Sequence, residues 1–303
     1  MTPASPSPMA GRRACLVANP AAAHGRTGRA TPRVLTALRD MGMEVDLVVP
    51  ESLQACRDLW RRWEPTDLVV SLGGDGLHGA VAEAVSRAGA LMAPLPGGRG
   101  NDFVAGLGAP LETMAAVAGL SRGVERRIDL AEADGRAFVG VLCAGLDARA
   151  NIEANRDSRL LGRNSAYVLG GLRAVWGYRA PRFHVDVDGR RLDVWGTFLA
   201  VGQSTRYGGG LRICPRARDD DGLLDVVAVA RMSLPRLATV VPSLLRGTHL
   251  ARRGVMMMRG RQITVDCEGE PVQWCADGEA MGTLPVRVHV RPAALRVLVP
   301  AAP

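Results

Sequence analysis

"DLVVSLGGDGLHGAVAEAV", residues 67–85, is an apolar run that stops at Gly73-Gly74-Asp75-Gly76 and resumes at once with helical spacing. A buried strand that ends in glycines and feeds straight into a helix is the repeating unit of parallel α/β sheets. The same alternation continues on both sides. "ACLVANP" (14–20) reads as a buried strand, "ATPRVLTALRDMG" (30–42) as a helix stopped by Gly42, and "MEVDLVVP" (43–50) as a strand. "ESLQACRDLWRRW" (51–63) and "LHGAVAEAVSRAG" (77–89) read as helices and "ALMAPLP" (90–96) as a further strand. Strands alternating with helices predict βαβ crossovers and an α/β sandwich.

The second half has another texture. Asp134-Gly135, Asp188-Gly189 and Asp221-Gly222 sit beside or between β-prone runs, as hairpin turns do. "FHVDVDGRRLDVWGTFLAVG" and "RQITVDCEGEPVQWCADGE" alternate apolar and polar residues like half-buried antiparallel strands. Two helical segments interrupt them, near 160–177 and 233–245. The expected organisation is a disordered leader over 1–12, an α/β nucleotide-binding domain over 13–130, and a mainly β domain over 131–303 whose last segment is a candidate to return to the first. No internal repeat is visible.

Composition sets limits on function. With 47% hydrophobic and 22% charged residues in 303, the chain is an ordinary globular one. No run of 18 apolar residues occurs, and the start, "MTPASPSPMAGRR", lacks a signal-peptide core, so a cytoplasmic protein is expected. Cys15, Cys56, Cys143, Cys214, Cys267 and Cys275 are scattered without ligand spacing, which reads as buried reduced thiols rather than zinc or disulfides. All 38 basic residues are arginine. Without lysine, neither a Schiff base nor a GxxxxGK[ST] P-loop can form, and any phosphate clamp must use arginine, backbone N–H groups or metal. The net charge of +8 comes with no recognised nucleic-acid motif and with only four Phe and three Tyr to stack on bases, so no nucleic-acid partner is expected.

Ligands of open parallel sheets collect at the C-terminal ends of strands, where helix N-termini present free N–H groups. Taken alone, "SLGGDG" serves equally well as a turn with Asp75 capping the next helix. A second turn follows one strand later, "PLPGGRGNDFVAGLG" (94–108), in which Asn101-Asp102 opens a short helix. Glycines let backbone approach a phosphate closely, and a carboxylate among them repels it unless a divalent cation intervenes, which points to a Mg-nucleotide. Asp129 in "RRIDL" is a third acid, at the domain junction.

In order and spacing, "SLGGDGLHGAVAEAV" and "LPGGRGNDFVAGLG" resemble the GGDGT and GTxND signatures of the diacylglycerol kinase catalytic family of lipid kinases, which includes sphingosine kinases. "ANPAAAHGR" is similar to the family's N-P-x-x-G nucleotide loop, with Gly25 displaced; "CAGLDARA" (143–150) resembles its G-x-D-A motif, "RARDDDGLLDVVAV" its D-G-x-L-D segment, and "ADGEAMGTLPVRVHVRPAALRVLVP" its closing strands. The resemblance covers nearly the whole chain from about residue 14.

The resemblance implies an α/β nucleotide domain of the NAD kinase/diacylglycerol kinase kind joined to a C-terminal β-sandwich, with the active site in the cleft between them. It implies ATP bound by Asn19, Pro20, Gly73, Gly74, Asp75, Gly76, Gly98 and Asn101, together with positions 77 and 99. Mg²⁺ would be held by Asp75, Asp102 and Asp129, partly through water. Glu279, beside Asp277, matches the general base, so that Glu279 and Asp75 are the catalytic pair. A second, structural Mg²⁺ of some bacterial members would lie near Asp221 and the backbones of Arg218 and Leu223. The two family threonines are replaced by Leu77 and Arg99. Two hydroxyl bonds to the nucleotide are lost, each about 1.5–3 kcal/mol when made to a charged oxygen, and Arg99 is the expected replacement as a bidentate phosphate ligand.

The implied substrate is a lipid, met at an anionic membrane surface by a protein attached peripherally to its inner face. Residues 155–182 carry six arginines against one acid with Leu, Tyr and Trp interleaved, and 234–247 and 254–260 place apolar residues beside arginine. On periodicity alone these segments also fit core helices with a basic solvated face. An NAD-kinase-like soluble kinase shares the GGDG turn, but "PGGRGNDF" and the closing "DGE" disfavour it; Leu77 and Arg99 keep open a homologue that binds without catalysis. The oligomeric state is left open, a homodimer included.

Overall fold

The computed structural model describes residues 9–146, 148–149 and 178–301. The helix expected near 160–177 and most of the 155–182 segment lie outside these residues. The chain divides into two compact units, Met1–Leu130 with Pro292–Pro303, and Ala131–Arg291.

In the first unit, strands β1 (Arg13–Ala18), β2 (Glu44–Val48), β3 (Leu68–Gly73) and β4 (Leu91–Pro96) run parallel in the order β2-β1-β3-β4. The C-terminal part of β15 (Val286–Val299) adds a further parallel strand beside β4, pairing Arg296 with Leu91. Every residue of β3 and β4 is buried, as expected of strands covered on both faces. Helices α1 (Ala22–Asp40) and α5 (Thr113–Gly119) cover one face through Val34, Leu38, Ala116 and Val117, packed on Leu16, Val70 and Leu72. Helix α3 (Asp75–Ala88) lies on the other, where Ser71 Oγ meets His78 Nδ1 at 2.7 Å. Helix α2 (Leu53–Arg57) packs on α3.

Some boundaries differ from the sequence reading. Helix α1 starts at Ala22, not near 30, because the chain bends through three left-handed residues, Ala23, His24 and Gly25, before regular helix resumes. The segment 51–63 is a short α-helix continued as a 3-10 helix over Asp58–Arg62, after which Trp63 turns inward. Of the expected leader, residues 9–12 form a turn: Met9 is buried in the core of this unit, and Gly11 N–H donates to Gly42 O. Apolar Met9 has a pocket to enter, which the Pro- and Ser-rich composition around it concealed.

The second unit is a β-sandwich. One sheet is built on β8 (Arg182–Val187), β12 (Gln262–Glu268) and the first half of β15, with β8 also pairing the start of β9 (Arg190–Gly202). Beyond Trp195 and Gly196, β9 passes into the other sheet, between β7 (Val141–Gly145) and β10 (Leu224–Ala230). That sheet continues to β11 (Val255–Gly260) on one side and through β13 (Gln273–Ala276) to β14 (Glu279–Thr283) on the other. Strands β5 (Val124–Ala133) and β6 (Arg136–Phe138) pair through the Asp134-Gly135 turn. The core contains Phe138, Phe183, Leu199, Val226, Ile263, Trp274 and Val286, and helix α6 (Leu234–Arg246) packs Val240 and Leu244 into a second cluster with Ile213 and Val229. Of the six thiols, all free, five are buried and Cys267 is half-buried.

On the exposed face of the first of these sheets, His184 Nδ1 lies 2.7 Å from Asp193 and its Nε2 lies 3.0 Å from Glu268. Both ring nitrogens can donate only when the imidazole is protonated, and bonding to Asp193 first, then Glu268, raises its pKa. Such a group stabilises the fold fully below its unfolded pKa and loses that contribution as pH rises through the higher folded value. Melting temperature is therefore expected to fall as pH is raised through and above neutrality, and the fall should be smaller in His184→Gln; identical pH profiles would remove the assignment.

Candidate functional site

Three strand ends of the first unit meet. After β1, Asn19 N–H donates to Leu72 O of β3 at 3.2 Å, and the Asn19 side chain accepts the Ala21 N–H at 3.1 Å. After β3 and β4 the two glycine turns lie backbone against backbone: Gly97 N–H donates to Gly73 O at 2.9 Å. A Cβ on Gly98 would sit 2.4 Å from Gly74 Cα, and one on Gly97 would sit 2.9 Å from Gly73 N. No side chain can separate these chains, so the two turns present bare backbone to each other and at their rim. Thr27, almost fully buried in α1, ties the second turn down by donating from Oγ1 to Gly97 O at 2.5 Å. Asn101, in a left-handed conformation, accepts the Gly98 N–H on its side-chain oxygen at 2.8 Å.

Asp75 opens α3, with Gly74 as N-cap and Gly76 in the first turn. Its carboxylate reaches across to the second turn, accepting the Phe103 N–H at 3.0 Å and the Asp102 N–H at 3.3 Å. The carboxylate thus caps the short helix α4 (Asp102–Gly106), the neighbour of the element it begins. Burial raises its pKa, opposed by the N–H groups of Phe103 and Asp102. The chain can keep this acid half-buried only because backbone donors already hold it.

Leu77 is 4% exposed and lies against Gly73, where an added Cβ would fall 2.5 Å from its Cδ2. It provides packing under the first turn and has no polar atom to give a nucleotide. Arg99 is exposed on the second turn, its guanidinium 3.4 Å from His24 Nε2. His24 belongs to the left-handed kink in the first turn of α1, where two non-glycine residues adopt a conformation costing of order 1 kcal/mol each. Nothing in the residue pattern identified His24 or Thr27; the contact with Arg99 joins positions 75 apart. His78, directly behind Leu77, is fully buried and lowered by that burial to about 3, so it is a neutral structural imidazole and not a base.

Asp102 and Asp129 are also buried, and Asp129 accepts the Ala293 N–H at 2.9 Å. Among the described residues no three His, Cys, Asp or Glu side chains are grouped so as to hold a metal. Asp75 and Asp129 are held by backbone donors, which leaves further lone pairs of each carboxylate for a cation or its water. The arrangement fits an ion carried in on a nucleotide, for which one or two carboxylates suffice.

The loop before β10 departs further from expectation. Asp221 accepts the Leu223 N–H at 3.1 Å with one oxygen and an Arg259 guanidinium N–H with the other. Arg259 also donates to Asp225, whose side chain is fully buried, at 2.7 Å, across the β10–β11 pairing that sets the two residues opposite each other. Arg218 turns to Asp220 at 3.1 Å. The positive charge this loop needs is supplied by Arg259, and Arg218, Asp221 and Leu223 do not fit a structural divalent ion. In the absence of nucleotide, excess EDTA is expected to leave the melting temperature unchanged; a clear drop reversed by Mg²⁺ would contradict this.

In the second unit, Glu279 is exposed at the start of β14, next to a tight turn in which Asp277 and Gly278 have positive φ. Asp277 fastens that turn by accepting the Val139 and Gly140 N–H groups, each at 2.8 Å. A Cβ on Gly140 would lie 2.7 Å from the same carboxylate and would push it off its two N–H donors. The carboxylate before Glu279 is thus a positioning group.

Comparison with known proteins was consistent with these two units. The profile described as "Diacylglycerol kinase catalytic domain" matches residues 13–133, and the one described as "YegS C-terminal NAD kinase beta sandwich-like domain" matches 140–299. A Mycobacterium tuberculosis protein named "Diacylglycerol kinase" is 30% identical over 291 residues, 93% of each chain. A Pseudomonas aeruginosa protein named "Probable lipid kinase YegS-like" is 36% identical over 248 residues, 77% of this chain and 76% of that one. A solved structure from Bacillus anthracis, described as a putative diacylglycerol kinase, superposes with a TM-score of 0.76 at 20% identity, covering 95% and 96% of the two chains, and so shares the fold. Glycine-locked strand ends followed by a β-sandwich, matched by both profiles and by relatives over 93% and 77% of its length, place the chain in the diacylglycerol kinase family of lipid kinases.

Proposed function

We propose that this chain transfers the γ-phosphate of ATP, bound with Mg²⁺, to a hydroxyl of diacylglycerol or a related lipid such as a sphingoid base. The observation that carries the reading is the direct backbone contact of the Gly73-Gly74 and Gly97-Gly98 turns at the C-terminal end of a parallel sheet. Backbone so close to backbone leaves a bed free of side chains, where phosphate oxygens can meet N–H groups and the N-terminus of α3. Relatives named as diacylglycerol and lipid kinases supply the acceptor class.

In this reading Asn19, Pro20, the glycines and Asn101 shape the nucleotide bed, and Arg99 takes the place of the missing hydroxyls at its rim. Asp75 and Asp102 are the carboxylates nearest that bed, and Asp129 is buried in the same unit. Mg²⁺ would offset the charge of the triphosphate when bound. Glu279 takes the proton of the attacking hydroxyl. The enzyme works as a cytoplasmic protein that meets its lipid at the inner face of a membrane, and no described helix is long and apolar enough to cross one.

The test is transfer of labelled phosphate from ATP, with and without Mg²⁺, to mixed micelles of diacylglycerol, a sphingoid base or monoacylglycerol, with NAD as a soluble acceptor. Mg²⁺-dependent labelling of one lipid class is expected. Labelling of NAD alone would replace the lipid reading, and binding of ATP without transfer would leave a nucleotide-binding homologue.

A further inference from the structure

From Val226 to Val265 the chain has seven arginines and no carboxylate. Arg259 is neutralised by Asp221 and Asp225. The other six, Arg231, Arg236, Arg246, Arg252, Arg253 and Arg261, are exposed and form no ion pair with any described residue. Uncompensated like charges repel, so a surface that gathers them without a single acid is unfavourable for the free protein and favourable only beside an anion.

The local fold concentrates these charges next to apolar side chains. Helix α6 turns Val240, Ser243 and Leu244 inward, which leaves Arg236, Thr239, Pro242, Leu245 and Arg246 on its solvent side at spacings of three and four. Leu245 is 60% exposed between those charges. The Arg236 guanidinium donates to Arg253 O at 3.4 Å, bringing the start of the helix onto the turn that carries Arg252 and Arg253. That turn opens β11, which among the described residues pairs only with β10 and whose Val255, Met256, Met257 and Met258 are half-buried against the two core clusters.

We propose that α6, the turn at 252–253 and strand β11 form the surface by which this protein docks on an anionic lipid bilayer. The proposal rests on the reading of the substrate as a lipid and assigns the membrane contact to the second unit, using none of the residues of the nucleotide bed. Arginines flanking an exposed leucine on an amphipathic helix let apolar atoms enter the headgroup layer while guanidiniums meet lipid phosphates. Nucleic acid fits the same charge but not the same side chains. No Phe, Tyr or Trp occurs between Tyr207 and Trp274, so α6, the turn at 252–253 and β11 themselves offer no such ring for bases to stack on; the exposed Trp195, whose carbonyl accepts the Arg231 N–H, lies outside these elements.

The experiment compares the full chain with an Arg236→Gln/Arg246→Gln/Arg252→Gln/Arg253→Gln variant and with Leu245→Asp. Sedimentation is measured with vesicles of phosphatidylcholine alone and of phosphatidylcholine with phosphatidylglycerol, at low and high salt. Wild type is expected to bind only the anionic vesicles, less so in salt. The quadruple variant should lose roughly a hundredfold in partitioning or more, since each arginine near such a surface is worth about a fivefold factor. Leu245→Asp should lose less. Unchanged melting temperatures establish that the variants are folded. Phosphorylation of a short-chain, monomeric diacylglycerol should be equal in wild type and variants, while phosphorylation of vesicle-embedded lipid falls in the variants. Wild-type binding to neutral vesicles as strong as to anionic ones, variant binding equal to wild type, or tighter variant-sensitive binding to a single-stranded oligonucleotide would each overturn the docking surface. Anionic-vesicle binding that the variants lose, with no lipid phosphorylated by wild type, would uphold the docking surface and sink the kinase reading instead.

Discussion

Replacing Glu279 by Gln is expected to lower kcat for lipid phosphorylation by roughly 10²–10⁴, the range that a positioned general base contributes. Affinity for ATP should be unchanged, because the glycine bed, Asn101 and Asp75 all belong to the first unit and Glu279 to the second. Gln keeps the size and hydrogen-bonding capacity of the side chain but cannot accept a proton at neutral pH. Asp277→Asn makes the control for position. Val139 and Gly140 donate to different oxygens, so Asn keeps one of the two bonds and sets its NH2 against the other N–H; the turn should loosen but hold through the remaining bond, and kcat should fall far less. Kinetics in micelles, with ATP binding measured by calorimetry, would decide. Equal loss of ATP affinity and kcat would assign Glu279 to nucleotide binding, and an unchanged kcat would remove it from the chemistry.

The second large effect concerns stability. Glu83 in α3 is 4% exposed and accepts Arg57 Nε at 3.1 Å, while Arg87, one turn further along the same helix, reaches its other oxygen at 2.9 Å. Arg57 is itself buried, at the end of α2. Removing one partner of a buried pair leaves the other charge desolvated and unanswered, at a cost of about 3–5 kcal/mol. Glu83→Ala is therefore expected to lower the melting temperature by roughly 6–20 °C for a unit of this size. Arg87→Ala should matter little, since that side chain is nearly half exposed and its pairing is screened by solvent. A Glu83→Ala protein that melts within a degree or two of wild type would show the pair to be dispensable.

The glycine contacts permit a more local check. Gly98→Ala places a methyl group against Gly74 Cα, and overpacking of this kind costs about 1–3 kcal/mol. The two turns must separate, so ATP affinity should fall by roughly the same free energy, about 5- to 150-fold. An alanine variant with wild-type ATP affinity would show that the contact between the turns does not shape the bed.

What the sequence made legible followed from period and punctuation. Residues 67–96 announce themselves because an all-apolar strand, a glycine turn and a helix with regular spacing cannot be exchanged for one another. The hairpin turns at Asp134-Gly135 and Asp188-Gly189 were readable because left-handed backbone selects these residue types, whereas Asp221-Gly222, read the same way, lies in the long loop that enters β10 and not in a tight hairpin turn. The bend at Ala23-His24 was hidden, since neither residue favours positive φ and only tertiary contact holds them there. Arg259 was equally hidden: its partners lie 34 and 38 positions away, and only the register of β10 on β11 brings it opposite Asp225. The role of Asp75 as a cap on α4 could not be read either, because only the register of β3 on β4 brings its carboxylate to N–H groups 27 and 28 positions along the chain.

The last strand has a consequence for the order in which the protein is made. The sheet of the nucleotide unit receives its strand beside β4 from residues at the far end of the chain, Arg296 and Val297 pairing with Leu91 and Met92. During synthesis the edge of β4 therefore leaves the ribosome without its neighbour and, at about 5–20 residues per second, waits on the order of ten seconds or more for it. An apolar edge left open is a template for pairing with other chains. A nascent chain halted before β15 should bind chaperones or aggregate although every glycine of the phosphate bed has already been made, and the sandwich must be translated through before the bed is safe from its neighbours.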